Sequence, residues 1–208
     1  NMIDTPGYPD FIGQAIGAMR GVDLACIVIN AHSGIQVNTR RMFKEAGLRG
    51  LPRMLVINRM DDDQIDFDGL IANIQNVFGS QCVLLNVPVG KGKSFEGVVD
   101  TLHAKEDVKG ALMSPKTISE PLIESIVEVD DAVMERYFEG KMPTDDEMSR
   151  LVIQAVCEGT LVPIVCCSAA TGKGLEEVLD AIGFCGPSPV DFMHKFKIDG
   201  EEVAIAPD

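Results

Sequence analysis

Three continuous apolar runs, residues 24–29, 53–57 and 162–167, are separated by stretches in which apolar residues return every three or four positions. Runs of five or six apolar residues suit strands covered on both faces, as in a parallel sheet. Between them, Val37 to Leu48 and Phe67 to Phe78 read as amphipathic helices, and residues 175–182 as a closing helix after the Gly172-Lys173-Gly174 turn. Upstream, Asn1-Met2-Ile3 reads as the tail of a strand and Asp4-Thr5-Pro6-Gly7 as a tight loop. Residues 9–20 read as a helix, with Pro9 near its start and Asp10 in its first turn. Phe11, Ile12, Ala15, Ile16 and Met19 form its apolar face. The alternation predicts an α/β fold, a doubly wound, mostly parallel sheet with ligands at the carboxyl ends of its strands.

Between residues 90 and 160 the rhythm changes. Gly90-Lys91-Gly92-Lys93 and residues 105–119 are loop-rich, residues 120–139 read as one long helical region, and Thr144 with Glu147 forms a capping-box pattern at the start of another helix. We read residues 90–155 as an inserted α+β subdomain, with residues 1–89 and 156–189 forming the main domain. Gly186-Pro187-Ser188-Pro189 has the composition of a linker, and residues 190–208 read as the start towards a second domain.

Composition adds exclusions. The chain has 208 residues, 46% of them hydrophobic and 24% charged, ordinary values for one globular α/β domain with an insert. Its apolar runs are too short to span a bilayer and no signal-peptide pattern opens it, so a cytoplasmic protein is expected. A net charge of −14 disfavours sequence-independent wrapping of nucleic acid but leaves docking through a local patch open. The six cysteines make no C-x-x-C pair and sit mostly in apolar stretches, which reads as buried, reduced thiols rather than a zinc site. His32, His103 and His194 are scattered and read as structural or surface residues.

Three short elements carry candidate chemistry, each placed after a predicted strand. Asp4-Thr5-Pro6-Gly7 has the form D-x-x-G: the carboxylate can hold magnesium through water, and the glycine lets a backbone N–H approach a γ-phosphate. Asn58-Arg59-Met60-Asp61 ends in a carboxylate able to accept from guanine N1–H and the 2-amino group, a donor pair that adenine lacks. Asn58 would brace that loop. The plainer reading is an Asx turn, with Asp61 opening the acidic surface run Asp61-Asp62-Asp63. In Ser168-Ala169, a backbone N–H could face the base O6 while the serine fixes the loop. Each is weak alone; the three together, in this order, are specific.

Asn1 to Phe11, NMIDTPGYPDF, resembles the third GTPase motif of translational factors, N-x-I-D-T-P-G-H-x-D-F. Asn58 to Asp61 resembles the guanine-reading N-K-x-D, and Ser168-Ala169 the last base-contacting motif. Asp61 and Ser168 stand 107 positions apart. That is far more than a minimal GTPase domain needs, and it resembles elongation factor G, which carries an inserted subdomain there. Glu135-Arg136-Tyr137-Phe138-Glu139-Gly140 and Pro187-Ser188-Pro189 are similar to that insert and to the family's exit from the GTPase domain. The likeness covers nearly the whole chain. It implies a P-loop GTPase-type domain binding GTP or GDP with Mg2+, and a ribosome partner in protein synthesis.

Three departures accompany the resemblance. No G-x-x-x-x-G-K-[ST] occurs. Gly92-Lys93-Ser94 imitates its end, but Val87 stands where the first glycine is required, and we read it as a decoy. The family's phosphate loop precedes D-x-x-G, so the resemblance places it upstream of Asn1, and the chain reads as a truncated domain. Residues 1–208 alone are therefore expected to show no GTPase activity and at best weak nucleotide binding, and an edge strand at residues 24–29 would invite self-association. Tyr8 stands at the position of the family's catalytic histidine, as in an elongation-factor-G-like side branch, and Arg59 replaces the lysine. The alternatives are a non-hydrolysing guanine-nucleotide-binding or ribosome-binding module, and another translational GTPase such as a release or ribosome-protection factor.

Overall fold

Residues 1–8 hold no strand in the computed structural model, which describes residues 1–189, Asp191 and the backbones of His194–Ile198 and Glu201–Ile205. Asn1-Met2-Ile3, expected as a strand tail, is exposed, and no described strand runs beside it to share its backbone hydrogen bonds. The predicted helix over residues 9–20 is shorter: a 3-10 turn, Pro9–Phe11, leads into α1 (Ile12–Ala18). Gly13 and Gly17 weaken this helix, and it closes through the tighter bonds Arg20 N–H to Gly17 O and Gly21 N–H to Ala18 O. Of its expected apolar face only Ala15 is buried.

The predicted alternation follows. Strand β1 (Ala25–Asn30), α2 (Val37–Leu48), β2 (Arg53–Asn58), α3 (Phe67–Phe78) and β3 (Cys82–Leu84) succeed one another. An antiparallel hairpin, β4 (Asn86–Val89) and β5 (Gly97–Asp100), then precedes α4 (Pro115–Val127), α5 (Asp131–Phe138) and α6 (Asp145–Glu158). Strand β6 (Val162–Cys166) returns to the sheet and α7 (Leu175–Cys185) closes it. The sheet order is β1-β2-β6-β3, parallel throughout.

Period-two alternation divides the sheet's side chains between two cores. Ile27, Ile29, Leu55, Ile57 and Ile164 cluster with Phe43 of α2 and with Leu70, Ile71 and Ile74 of α3. Met54, Val56, Val165 and Cys167 cluster with Leu122 and Ile126 of α4, Leu151 and Val152 of α6, and Ala181 of α7. The doubly wound expectation holds for the central strands. It fails for β1, whose Cys26 and Val28 are exposed: β1 is the last strand of the sheet, and this face of it lies bare.

The region after residue 90 is more regular than the loop-rich reading. Residue 90 falls in the turn of the β4–β5 hairpin. The hairpin is fastened to the main sheet where the buried Asn86 Oδ1 accepts the Cys166 N–H at 2.8 Å. The single helix expected over residues 120–139 is two. Ser114 caps α4 by accepting the Thr117 N–H with Pro115 next in line, so this helix begins inside the stretch read as loop. Asp130 then accepts from Ala132 and Val133 N–H, starting α5 and breaking the run. The Thr144–Glu147 capping box is present at α6.

Residues 186–188 are irregular. Beyond them β7 (His194–Ile198) and β8 (Glu201–Ile205) pair antiparallel. Within the expected second-domain start, Val190, Phe192, Met193, Asp199, Gly200 and residues 206–208 lie outside the described residues.

Candidate functional site

In register, β1 and β2 end together, with Asn30 opposite Asn58. Strand β6 ends beside them, Ile57 opposite Cys166. Their carboxyl ends make one rim, and two of the three sequence-predicted elements meet there directly.

Asn58 is the junction. Its Oδ1 accepts the Arg59 N–H at 2.7 Å and the Ala169 N–H at 2.9 Å, joining loops 111 residues apart. The Cys167 thiol also donates to it at 3.8 Å, and burial pushes that thiol up to about 11, so it keeps its proton. The fully buried Ser168 donates from Oγ to Asp61 Oδ1 at 2.5 Å and accepts the Thr171 N–H, which orients the carboxylate. Met60, fully buried, donates its N–H to Cys167 O at 3.2 Å. Arg59 has φ 69°, the one non-glycine positive φ among the described residues, a conformation costing about 1–2 kcal/mol. Its guanidinium side chain is exposed. The Ala169 N–H, expected to face a base carbonyl, is held by Asn58, because the asparagine's brace needs a donor from the opposite loop. A base O6 here would share that donor.

The acidic run is spent on loop geometry. Asp62 Oδ1 accepts the Gln64 N–H, and Asp63 Oδ1 accepts the Lys93 N–H at 3.1 Å. Sequence reasoning missed Asp63. It also missed the backing segment Gly90-Lys91-Gly92-Lys93-Ser94-Phe95. There the Gly92 N–H donates to Met60 O at 2.9 Å, Lys91 Nζ donates to Ile65 O, and Lys173 Nζ donates to Phe95 O. Gly92 has φ 59°, and a Cβ there would collide with Asp63 Oδ1. Gly174, φ 80°, passes so close to the end of β6 that a Cβ would lie 2.8 Å from Cys166 O. The backbone N–H groups of Gly92, Lys93 and Ser94 all have internal partners, so this segment offers no phosphate cradle. His32 ties the first loop of the rim to the second through its Nδ1 and Gln64 O, 2.9 Å apart.

Asp4-Thr5-Pro6-Gly7 reaches the rim through α2: Asn38 Nδ2, in the first turn of that helix, donates to Gly7 O at 2.9 Å. Asp4 and Tyr8 are exposed, Tyr8 to 74%, and no hydrogen bond joins their side chains to the other two loops among the described residues. Contrary to expectation this element does not follow a strand.

The model of the elongation factor Tu GTP-binding domain family matches residues 1–188. The chain belongs to that family. It is thus a member of the translational GTPases, for which guanine-nucleotide binding is the shared property. A crystal structure of a protein from Thermus thermophilus is similar to it at 28% identity, with a TM-score of 0.79 over 90% of this chain. The chain spans 30% of the length of that protein. The magnesium that accompanies such nucleotides is a hard cation preferring oxygen donors, and Asp4 with Thr5 supplies a carboxylate and a hydroxyl of that kind. Among the described residues no helix is long and apolar enough to cross a membrane.

Proposed function

We propose that these residues are the base-reading part of an elongation-factor-G-like translational GTPase that acts on the ribosome. The observation that carries this reading is the junction of Asn58, Asp61, Ser168 and Ala169 by two hydrogen bonds that span 107 and 111 positions of the chain. Asp61 would accept from guanine N1–H and the 2-amino group, Arg59 would lie over a face of the base, and Ala169 N–H would share its proton with O6. Asp4 would hold Mg2+ through water, and Gly7, beside which a Cβ would meet nothing within 4 Å, would present its N–H to the terminal phosphate. The long separation of the two base loops and the helices α4 to α6 within it support the elongation-factor-G type. Residues 90–155 would be its inserted subdomain, 1–89 and 156–189 its partial GTP-binding domain, and 190–208 the start of a following domain.

Asp61→Asn tests the base assignment. Xanthine carries a carbonyl where guanine carries the 2-amino group, and an asparagine amide can donate to it. In the full-length protein GDP affinity should fall about tenfold or more while XDP affinity rises, read by calorimetry. Unchanged preference would remove Asp61 from the base.

Tyr8 favours a second reading, nucleotide binding with no hydrolysis. A phenol, acceptor and donor at one oxygen, does not reproduce an imidazole that orients water. Single-turnover GTP hydrolysis with ribosomes separates the two. Tyr8→His should raise the rate if the phenol limits it.

A further inference from the structure

Two groups of contacts converge on one short segment. The base-reading loop after β2 is held from behind by Gly92 N–H on Met60 O, by Lys93 N–H on Asp63 Oδ1 and by Lys91 Nζ on Ile65 O. The loop after β6 is held by Lys173 Nζ on Phe95 O. All the partners on the far side belong to residues 91–95, and that stretch is anchored by Phe95, buried in the core of α2 and α3. The fit is close: Gly92 is buried, its φ is 59°, and only a residue without Cβ leaves room for the Asp63 carboxylate. Each of these groups is held by a partner within the two loops, and the nucleotide reading given above assigns them nothing.

We propose that residues 91–95 form a clamp that sets the spacing of the two base-reading loops, with Asp63 and Lys91 as its positioning residues on the Asp61 side. The inference rests on the nucleotide reading above and deepens it. The clamp lies in the β4–β5 turn, at the entrance to residues 90–155. Displacing that hairpin therefore loosens the grip on the base, and tightening the grip on the base seats the hairpin. Asp61 can accept from both guanine donors only while its loop holds this position. A loop freed by loss of the Asp63 contact loses discrimination at the 2-position of the purine, while the phosphate contacts proposed for Asp4 and Gly7 stay as they are.

The test uses the full-length protein, with GDP and IDP as probes, since IDP differs from GDP only in lacking the 2-amino group. Wild type should bind GDP more tightly than IDP. Asp63→Ala should lower the GDP-to-IDP affinity ratio about three- to tenfold, chiefly through weaker GDP binding, and Asp63→Asn, which keeps an acceptor oxygen for Lys93 N–H, should restore it. A residue that merely stabilised the fold would shift both affinities together and leave the ratio alone. If Asp63→Ala does not fold, Lys91→Met, which removes only the bond to Ile65 O, should lower the ratio in the same direction. A ratio within twofold of wild type in the folded variants overturns the clamp. A wild type that does not prefer GDP to ADP overturns instead the nucleotide reading on which it rests.

Discussion

At the scale of single residues, burial governs the chemistry of the thiols. Desolvation raises Cys82 and Cys185 to about 12 and Cys157 to about 11, and lifts the fully buried Cys166 well above the ordinary thiol value. Thiolate, the nucleophilic form, is then scarce at neutral pH. Partial burial raises Cys26 too, but its surface is exposed, so iodoacetamide at pH 7.5 should label it first, though slowly, and reach Cys82, Cys166, Cys167 and Cys185 only in denaturant; peptide mass mapping would count them. Rapid native labelling at Cys166 or Cys167 would mean that β6 opens easily. The rim residues Asn58, Asp61, Ser168 and Ala169 were legible in the sequence because their order and separation carry the signal. Asp63 and Gly92 were not. An acidic run reads as a solvated face, and a glycine-lysine loop reads as a mimic of a phosphate loop. Only three-dimensional proximity shows that the two meet.

At the scale of elements, central helices and strands were readable where a single period dominated. Helices α2 and α3 match their predicted bounds; α3 buries a continuous apolar face of Phe67, Leu70, Ile71, Ile74 and Phe78, whereas α2 buries only Phe43 and Ala46. Strands β3 and β4 escaped because residues 82–89 form one apolar stretch divided only by Asn86, whose side chain turns inward to the Cys166 N–H. The helical block was misread at its joint, since Asp130 looks like another surface acid until its carboxylate is seen capping α5. The capping box of α6 predicts a pH response. The Thr144 N–H, then Arg136, hold Glu147 below the ordinary glutamate value of 4.5. A carboxylate lowered on folding stabilises the fold above its unfolded pKa, and that contribution disappears as pH falls through the lowered value. Glu147→Gln should therefore melt below wild type at pH 7 and together with it near pH 3. A constant difference across that range would remove the charge from the explanation.

At the scale of the molecule, two cores sandwich one parallel sheet, and the rim of that sheet gathers the candidate chemistry while its last strand stays uncovered. Val28, 60% exposed, and Cys26 stand on the bare face of β1, and the described residues supply β1 with a neighbour on one side alone. Backbone donors and acceptors along such a margin are a ready template for another strand. In dilute solution residues 1–208 should elute in a concentration-dependent way, and Val28→Lys should shift elution towards the monomer by placing a repelling charge on that margin. If the elution volume does not depend on concentration, β1 is not sticky. Should the association occur, the natural geometry is isologous: two copies meeting β1 to β1 across a dyad would merge their sheets into one eight-stranded layer, antiparallel at the seam and parallel on either side of it.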